Sequence, residues 1–231
     1  MSAENTTAMS RTEIFANIRR GLNRSENDSQ RQQAVENRLS ARANNLIPQR
    51  AQLPFAEQVD LFKAMATEAV AELIELNSID QVPQACADWL SRHSLKQLIS
   101  ASNKELTVLD WSPLEQQQII RTERVAQAGD IASLTLSFAG IAETGTLMLH
   151  SSELSPTTLN FLPDNHLVVL HRSSIVGVYE EAWKKLRETF GNAMPRTVNM
   201  ITGPSRSADI EQKLQMGAHG PKKLIILLIN D

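Results

Sequence analysis

Three short stretches carry residue types whose spacing can support chemistry. The first, Gly140-Ile141-Ala142-Glu143-Thr144-Gly145-Thr146, folds a carboxylate and two hydroxyls around a glycine between two segments of strand character. Glu143 there is a candidate base, nucleophile or hydrogen-bond acceptor, with Thr144 and Thr146 as ligand contacts. Gly145 takes a positive φ at little cost. The same pattern also suits a plain hairpin corner. The second runs from residues 198–202 into Gly203-Pro204-Ser205-Arg206-Ser207, with a helix expected from about Ala208. Gly203 admits close backbone approach, Ser205 and Ser207 offer hydroxyls, Arg206 a cation and the helix start free N–H groups, which together form an anion cradle. Asp209 and Glu211 would fall in the first turn of that helix, where acids offset the macrodipole, so Ser207 also reads as a simple N-cap. The third is His219-Gly220-Pro221, where a loop histidine is a candidate acid, base or anion contact near neutral pH.

Other reaction classes find no support. The second stretch lacks the spacing and Gly-Lys-Ser/Thr ending of a phosphate-binding P-loop, and it is not GxGxxG. No GxSxG elbow marks a serine hydrolase. His93, His150, His166 and His171 show no spacing that would join them as a metal site, so no metal is expected in this chain. The single cysteine, Cys86, excludes an intramolecular disulfide and any iron–sulfur cluster held by this chain's cysteines alone.

The elements that must position these stretches alternate between strand and helix. The apolar residues between 55 and 76, among them Phe55, Val59, Phe62, Ala66, Leu73 and Leu76, recur with a period near 3.6 and predict one core-facing helix. A second helix follows Pro83 through Trp89 and Leu90, since proline is preorganised for a first helical position. Strands are expected at 98–100 and 106–109, separated by the turn formers Ser102-Asn103-Lys104. Leu134, Leu136 and Phe138 alternate with Ser133, Thr135 and Ser137, which predicts a strand with one polar face. Further strands at 146–150, 166–171, 198–202 and 224–229 are interleaved with a short helix at 157–162, a helix at 179–190 and a loop and helix running through Leu214. Such alternation favours a largely parallel sheet flanked by helices, with ligands outside the carboxyl ends of its strands.

The first fifty residues differ from the rest. Between Arg19 and Arg50 seven arginines face only Glu26, Asp28 and Glu36. Ile14, Phe15, Ile18 and Leu22 predict an amphipathic helix over 12–22, and Gly21 with the polar run 23–33 predicts a hinge or linker. The expected organisation is an N-terminal helix with an Arg/Gln/Asn-rich linker over 1–52 and an α/β domain over 53–231. The arginines lack interleaved aromatic residues, and the whole chain has a formal charge of −3, so nucleic acid is not the expected partner. No apolar run approaches the roughly 20 residues that cross a bilayer, and no apolar signal core opens the chain, so a cytoplasmic location is expected.

In this order, residues 140–146, the Leu162-Pro163-Asp164-Asn165-His166 turn, residues 201–211 and residues 217–221 resemble the signature of the LUD domain of the lactate-utilization protein C family. The likeness covers about the last hundred residues closely and the helical region from Phe55 more loosely. Ser207 stands where threonine is frequent, and Gly217-Ala218 where Gly-Val is frequent. The resemblance implies a three-layer, Rossmann-like α/β fold similar to the NagB/RpiA/CoA-transferase superfamily, with a parallel or mixed sheet. It also implies a bacterial role in oxidising L-lactate to pyruvate, as an accessory subunit beside partner proteins that carry iron–sulfur clusters. This chain would itself carry no cofactor, would bind a small anion and would have a homodimer open to it. The alternative is a stand-alone enzyme acting on a phosphorylated or CoA-linked small molecule through Glu143, by analogy with transferases of related fold.

Overall fold

The computed structural model describes residues 3–24, 29–41, 46–191, 193–208, 214–217 and 219–231. The chain divides into two compact units, 1–45 and 46–231. The first holds helices α1 (Ala3–Gly21) and α2 (Ser29–Ala41). Most of the expected linker from Ser29 onward is therefore helical. Its Gln, Arg, Glu, Ala and Leu residues are good helix formers although too polar to build a core, and α2 buries no residue. Ile14, Phe15 and Ile18 on α1 and Leu22 just after it form the expected stripe, and all four are exposed.

In the second unit the predicted long helix divides. Helix α3 (Phe55–Glu68) buries Val59, Phe62 and Ala66, and the chain then turns into strand β1 (Glu72–Leu76). The turn passes through Val70 at φ 68°, a left-handed conformation unusual for a β-branched residue. The Ala71 N–H donates to Ala66 O at 3.0 Å, closing the helix end. Leu73 and Leu76 kept the helical period by coincidence, and parallel pairing with the last strand decides their conformation. Helix α4 (Val82–Arg92) begins at the expected proline, and β2 (Gln97–Ser100) follows. The expected strand at 106–109 is instead helix α5 (Lys104–Thr107), continuing to α6 (Ser112–Gln116) and β3 (Ile120–Glu123).

Strands β4 (Ala132–Leu136), β5 (Ala139–Ile141) and β6 (Thr146–His150) are followed by a short 3₁₀ turn at Thr157–Asn160 and by β7 (Asn165–His171). After β8 (Ile175–Val176), α7 (Tyr179–Phe190) and β9 (Val198–Ile201) come the short strands β10 (Arg206–Ala208) and β11 (Leu214–Met216), then β12 (Lys223–Ile229). Six parallel strands form the main sheet in the order β1-β12-β7-β4-β2-β3, and a smaller mixed sheet has the order β8-β5-β6-β9. One face of the main sheet meets the α4 side, where Trp89, Leu90, Leu167 and Leu227 are buried. The other meets α3 and the small sheet through Phe62, Leu147, Val168 and Ile226. These are the layers of a three-layer α/β fold.

The polar residues expected on an open face of β4 are buried. Ser133 Oγ donates to Leu159 O at 2.6 Å, and Thr135 Oγ1 lies 2.7 Å from His166 Nε2. Each hydroxyl thus has a partner inside the protein, which is what lets a Ser/Thr strand face sit in a core. Cys86 is fully buried, and burial pushes its thiol up to about 12. Iodoacetamide at mildly alkaline pH should leave Cys86 unmodified in the folded protein and alkylate it in guanidinium; rapid labelling of the native state would contradict this burial.

Candidate functional site

The first stretch forms the turn from β5 into β6 and closes onto β8. The Ala142 N–H donates to Val176 O at 2.8 Å and the Glu143 N–H to Gly177 O at 3.0 Å. Glu143 is buried, and Oε1 of its carboxylate lies 3.6 Å from Nη2 of the half-exposed Arg50. Beside it lies a four-hydroxyl network. Thr146 Oγ1 is 2.6 Å from Thr144 Oγ1, 3.0 Å from the Tyr179 hydroxyl and 2.6 Å from Thr202 Oγ1, and Thr144 Oγ1 is 2.9 Å from the Tyr179 hydroxyl. Thr146 is the buried hub, Thr144 and Tyr179 are half-buried, and Thr202 is exposed. Antiparallel pairing of β6 with β9 places Thr146 beside Thr202, because Leu147 stands opposite Ile201.

The second stretch is anchored on the end of α3. Gly203 adopts φ +66°, and a Cβ there would lie 2.1 Å from Ala69 O. The Arg206 guanidinium donates from Nη2 to Ala69 O at 3.0 Å. Arg206 therefore caps the helix's carboxyl end, where a cation is favoured. The expected helix start near Ala208 is not formed: residues 206–208 are strand β10, paired antiparallel with β11. Pro204 is buried, Ser207 lies in β10, and Asp209 and Glu211 lie outside the described residues.

The third stretch meets the second directly. The Ser205 N–H donates to Pro221 O at 2.8 Å, the Gly217 N–H to Ser205 O at 2.9 Å and the His219 N–H to Ser205 Oγ at 3.4 Å. A Cβ on Gly220 would lie 3.3 Å from that of Ser205. The 162–166 turn is tied to the same place, since Asp164 O accepts from Lys222 N and Lys223 N, and Lys222 Nζ meets Asp164 Oδ2 at 2.8 Å.

All four stretches thus lie along one edge. It is the carboxyl end of β5, β8 and β9, but the amino end of β1, β7 and β12, opposite to the end of the main sheet expected from its topology. No hydrogen bond or ion pair joins Glu143, Arg206 and His219 to one another among the described residues. Their connection runs from Thr146 to Thr202, along the chain to Gly203 and Ser205, and across to His219. Sequence reasoning missed Tyr179, Thr202 and Arg50. Tyr179 is the chain's only tyrosine and stands at the start of a polar helix, a signal available from the sequence; Arg50 carries none.

A main parallel sheet, a second mixed sheet and flanking helices, with polar turns of both sheets on one edge, define an α/β domain of the three-layer class. The family model described as LUD domain matches residues 59–229, and the chain belongs to that family. It is 32% identical over 143 residues to lactate utilization protein C of Bacillus subtilis, a stretch covering 60% of this chain and 58% of that relative. An uncharacterized protein of Neisseria meningitidis is 46% identical over 92 residues, covering 39% of this chain and 38% of its own length. The chain therefore aligns with little more than half of the first of these relatives. A crystal structure of a DUF162 family protein from Deinococcus radiodurans shares the fold, with a TM-score of 0.57 at 20% identity over 77% of this chain and 99% of that one. No described helix is long and apolar enough to cross a membrane.

Proposed function

We propose that this chain acts in lactate utilization as an accessory subunit beside iron–sulfur partner proteins, holding a small carboxylate at the edge built by residues 143–146, Tyr179 and Thr202. The name carried by the Bacillus subtilis relative supports the pathway. The hydroxyl network carries the site. Thr202, Thr144 and Tyr179 present reorientable O–H groups at the surface while Thr146 fixes them from below. Arg50 offsets the charge of Glu143, and Arg206, four residues beyond Thr202, carries a positive charge on the same edge while it bonds Ala69 O. A carboxylate flanked by a hydroxyl matches such a surface. Glu143 serves here as an anchor: its side chain is only 11% exposed and faces Arg50, whereas a nucleophile needs an open approach.

Calorimetric titration with L-lactate, pyruvate and inorganic phosphate tests the reading. One of the carboxylates should bind, and Tyr179→Phe or Thr202→Val should weaken it by about 1 kcal/mol or more, roughly five- to tenfold. Arg206→Ala should lower thermal stability. Absence of carboxylate binding at millimolar concentration, together with normal growth on L-lactate after deletion of the gene, would overturn the proposal.

A further inference from the structure

Strand β3 ends the main sheet, and among the described residues no strand pairs with its outer side. Its sequence, Ile120-Arg121-Thr122-Glu123, contains no proline or lysine to blunt the edge. Ile120 is 66% exposed, and Thr122 and Glu123 are exposed as well. A cleft of about 520 Å³ lined by Trp111, Leu114, Gln118, Ile120 and Arg121 borders this strand.

Backbone direction and charge together select what can pair there. The Ile120 N–H donates inward to Lys96 O at 2.9 Å. By strand alternation Thr122 also points its N–H and C=O toward β2, so Arg121 and Glu123 present theirs to the open edge. An antiparallel partner hydrogen-bonds outward-facing residues with outward-facing residues. For a second copy of β3 that leaves three central registers: Arg121 opposite the partner's Arg121, Glu123 opposite the partner's Glu123, or Arg121 opposite the partner's Glu123. The first two set like charges against each other, which is unfavourable. The third makes two opposite-charge pairs and puts Thr122 against the partner's Thr122 on a two-fold axis. Both side chains lie on one face of the strand, where Arg121 Nη2 meets Glu123 Oε1 at 2.6 Å and the guanidinium lies 4.2 Å over the Trp111 ring.

We propose that the outer edge of β3 pairs antiparallel with the same edge of a second copy of this chain, centred on Thr122, joining two six-stranded sheets into one. Such isologous pairing closes on itself and leaves no free β3 edge. Sedimentation equilibrium of the full chain tests it. The wild type should be dimeric at roughly 100 μM or below. Glu123→Arg should weaken the dimer by roughly tenfold or more, because each Arg121 then faces an arginine, and the Arg121→Glu/Glu123→Arg double exchange should restore it. Thr122→Lys sets two ammonium groups across the axis without touching the Trp111 stack; it should weaken the dimer even if the Arg121 variant folds poorly. A monomeric wild type overturns the proposal. So does a dimer indifferent to both Glu123→Arg and Thr122→Lys.

Discussion

Gly145→Ala should be among the most damaging single-atom additions this chain can receive. The new Cβ would lie 2.2 Å from Ala66 N, 2.5 Å from Met65 C and 2.7 Å from Ala66 Cα, all in the backbone of α3, where no side-chain rotation can relieve the clash. Gly145 also sits at φ +64°, which costs a residue with a Cβ about 1–2 kcal/mol. Overpacking adds about 1–3 kcal/mol, for a total of about 2–5 kcal/mol. For a domain of this size that lowers the Tm by roughly 10 °C. Gly21→Ala supplies the control: its φ is not positive and nothing lies within 4 Å of the added atom, so neither cost applies. Thermal unfolding followed by circular dichroism should separate the two variants clearly. Equal shifts would mean that the 143–146 turn does not rest on α3.

That contact also explains how much of the site was legible in the sequence. The sequence singles out Gly145 for a positive φ and Gly203 for close backbone approach. Gly145 adopts that φ and Gly203 admits that approach, and what comes close to both is α3, at Ala66 and Ala69, 79 and 134 residues away along the chain. A glycine's need for space is visible in a sequence, but the identity of what fills the space is a tertiary fact. Arg206 follows the same logic: the cation was evident, whereas its acceptor, Ala69 O, exists only because α3 ends there. The long helix predicted through Leu76 hid that end, and with it β1.

The strands of the main sheet were legible where burial makes them continuous apolar runs, as in β7 and β12. Edge strand β3 was missed because Ile120-Arg121-Thr122-Glu123 buries no residue and carries no periodic apolar signal. Strands β5 and β8 are three and two residues long, too short for a period to show. Chemistry-bearing residue types at strand ends gather at the carboxyl edge of the small sheet. The same edge is the amino end of the main sheet: the rule that ligands gather at carboxyl ends concerns one sheet, and this fold has two with opposed contributions there.

Acid should weaken this fold well above the range in which its carboxylates titrate, and His166 is the reason. The imidazole is fully buried between Ser133 on β4 and Leu224 on β12, its Nε2 meets Thr135 Oγ1, and its Nδ1 has no partner. Burial pushes its pKa down from 6.5 to about 3. Between those values the unfolded chain takes up a proton that the folded chain refuses, so the contribution is complete above about 6.5 and is lost progressively as pH falls toward 3. The limiting slope is about 1.4 kcal/mol per pH unit. The shifted carboxylates act lower: Lys63 hydrogen-bonds Glu75 and Arg124 hydrogen-bonds Asp130, holding both below their ordinary values. Asp231 is raised by burial but brought down to about 2 by Ser173 and His171. Urea unfolding between pH 6.5 and 4.5 therefore isolates the histidine when the wild type is compared with His166→Gln, an amide that can still hydrogen-bond Thr135 and cannot take up a proton. The variant should lose some stability at neutral pH and show a shallower fall on acidification. The two stability curves should converge by about 2 kcal/mol across that window. Parallel curves would place His166 in contact with solvent and remove the buried Thr135–His166 pair from the core between the sheets.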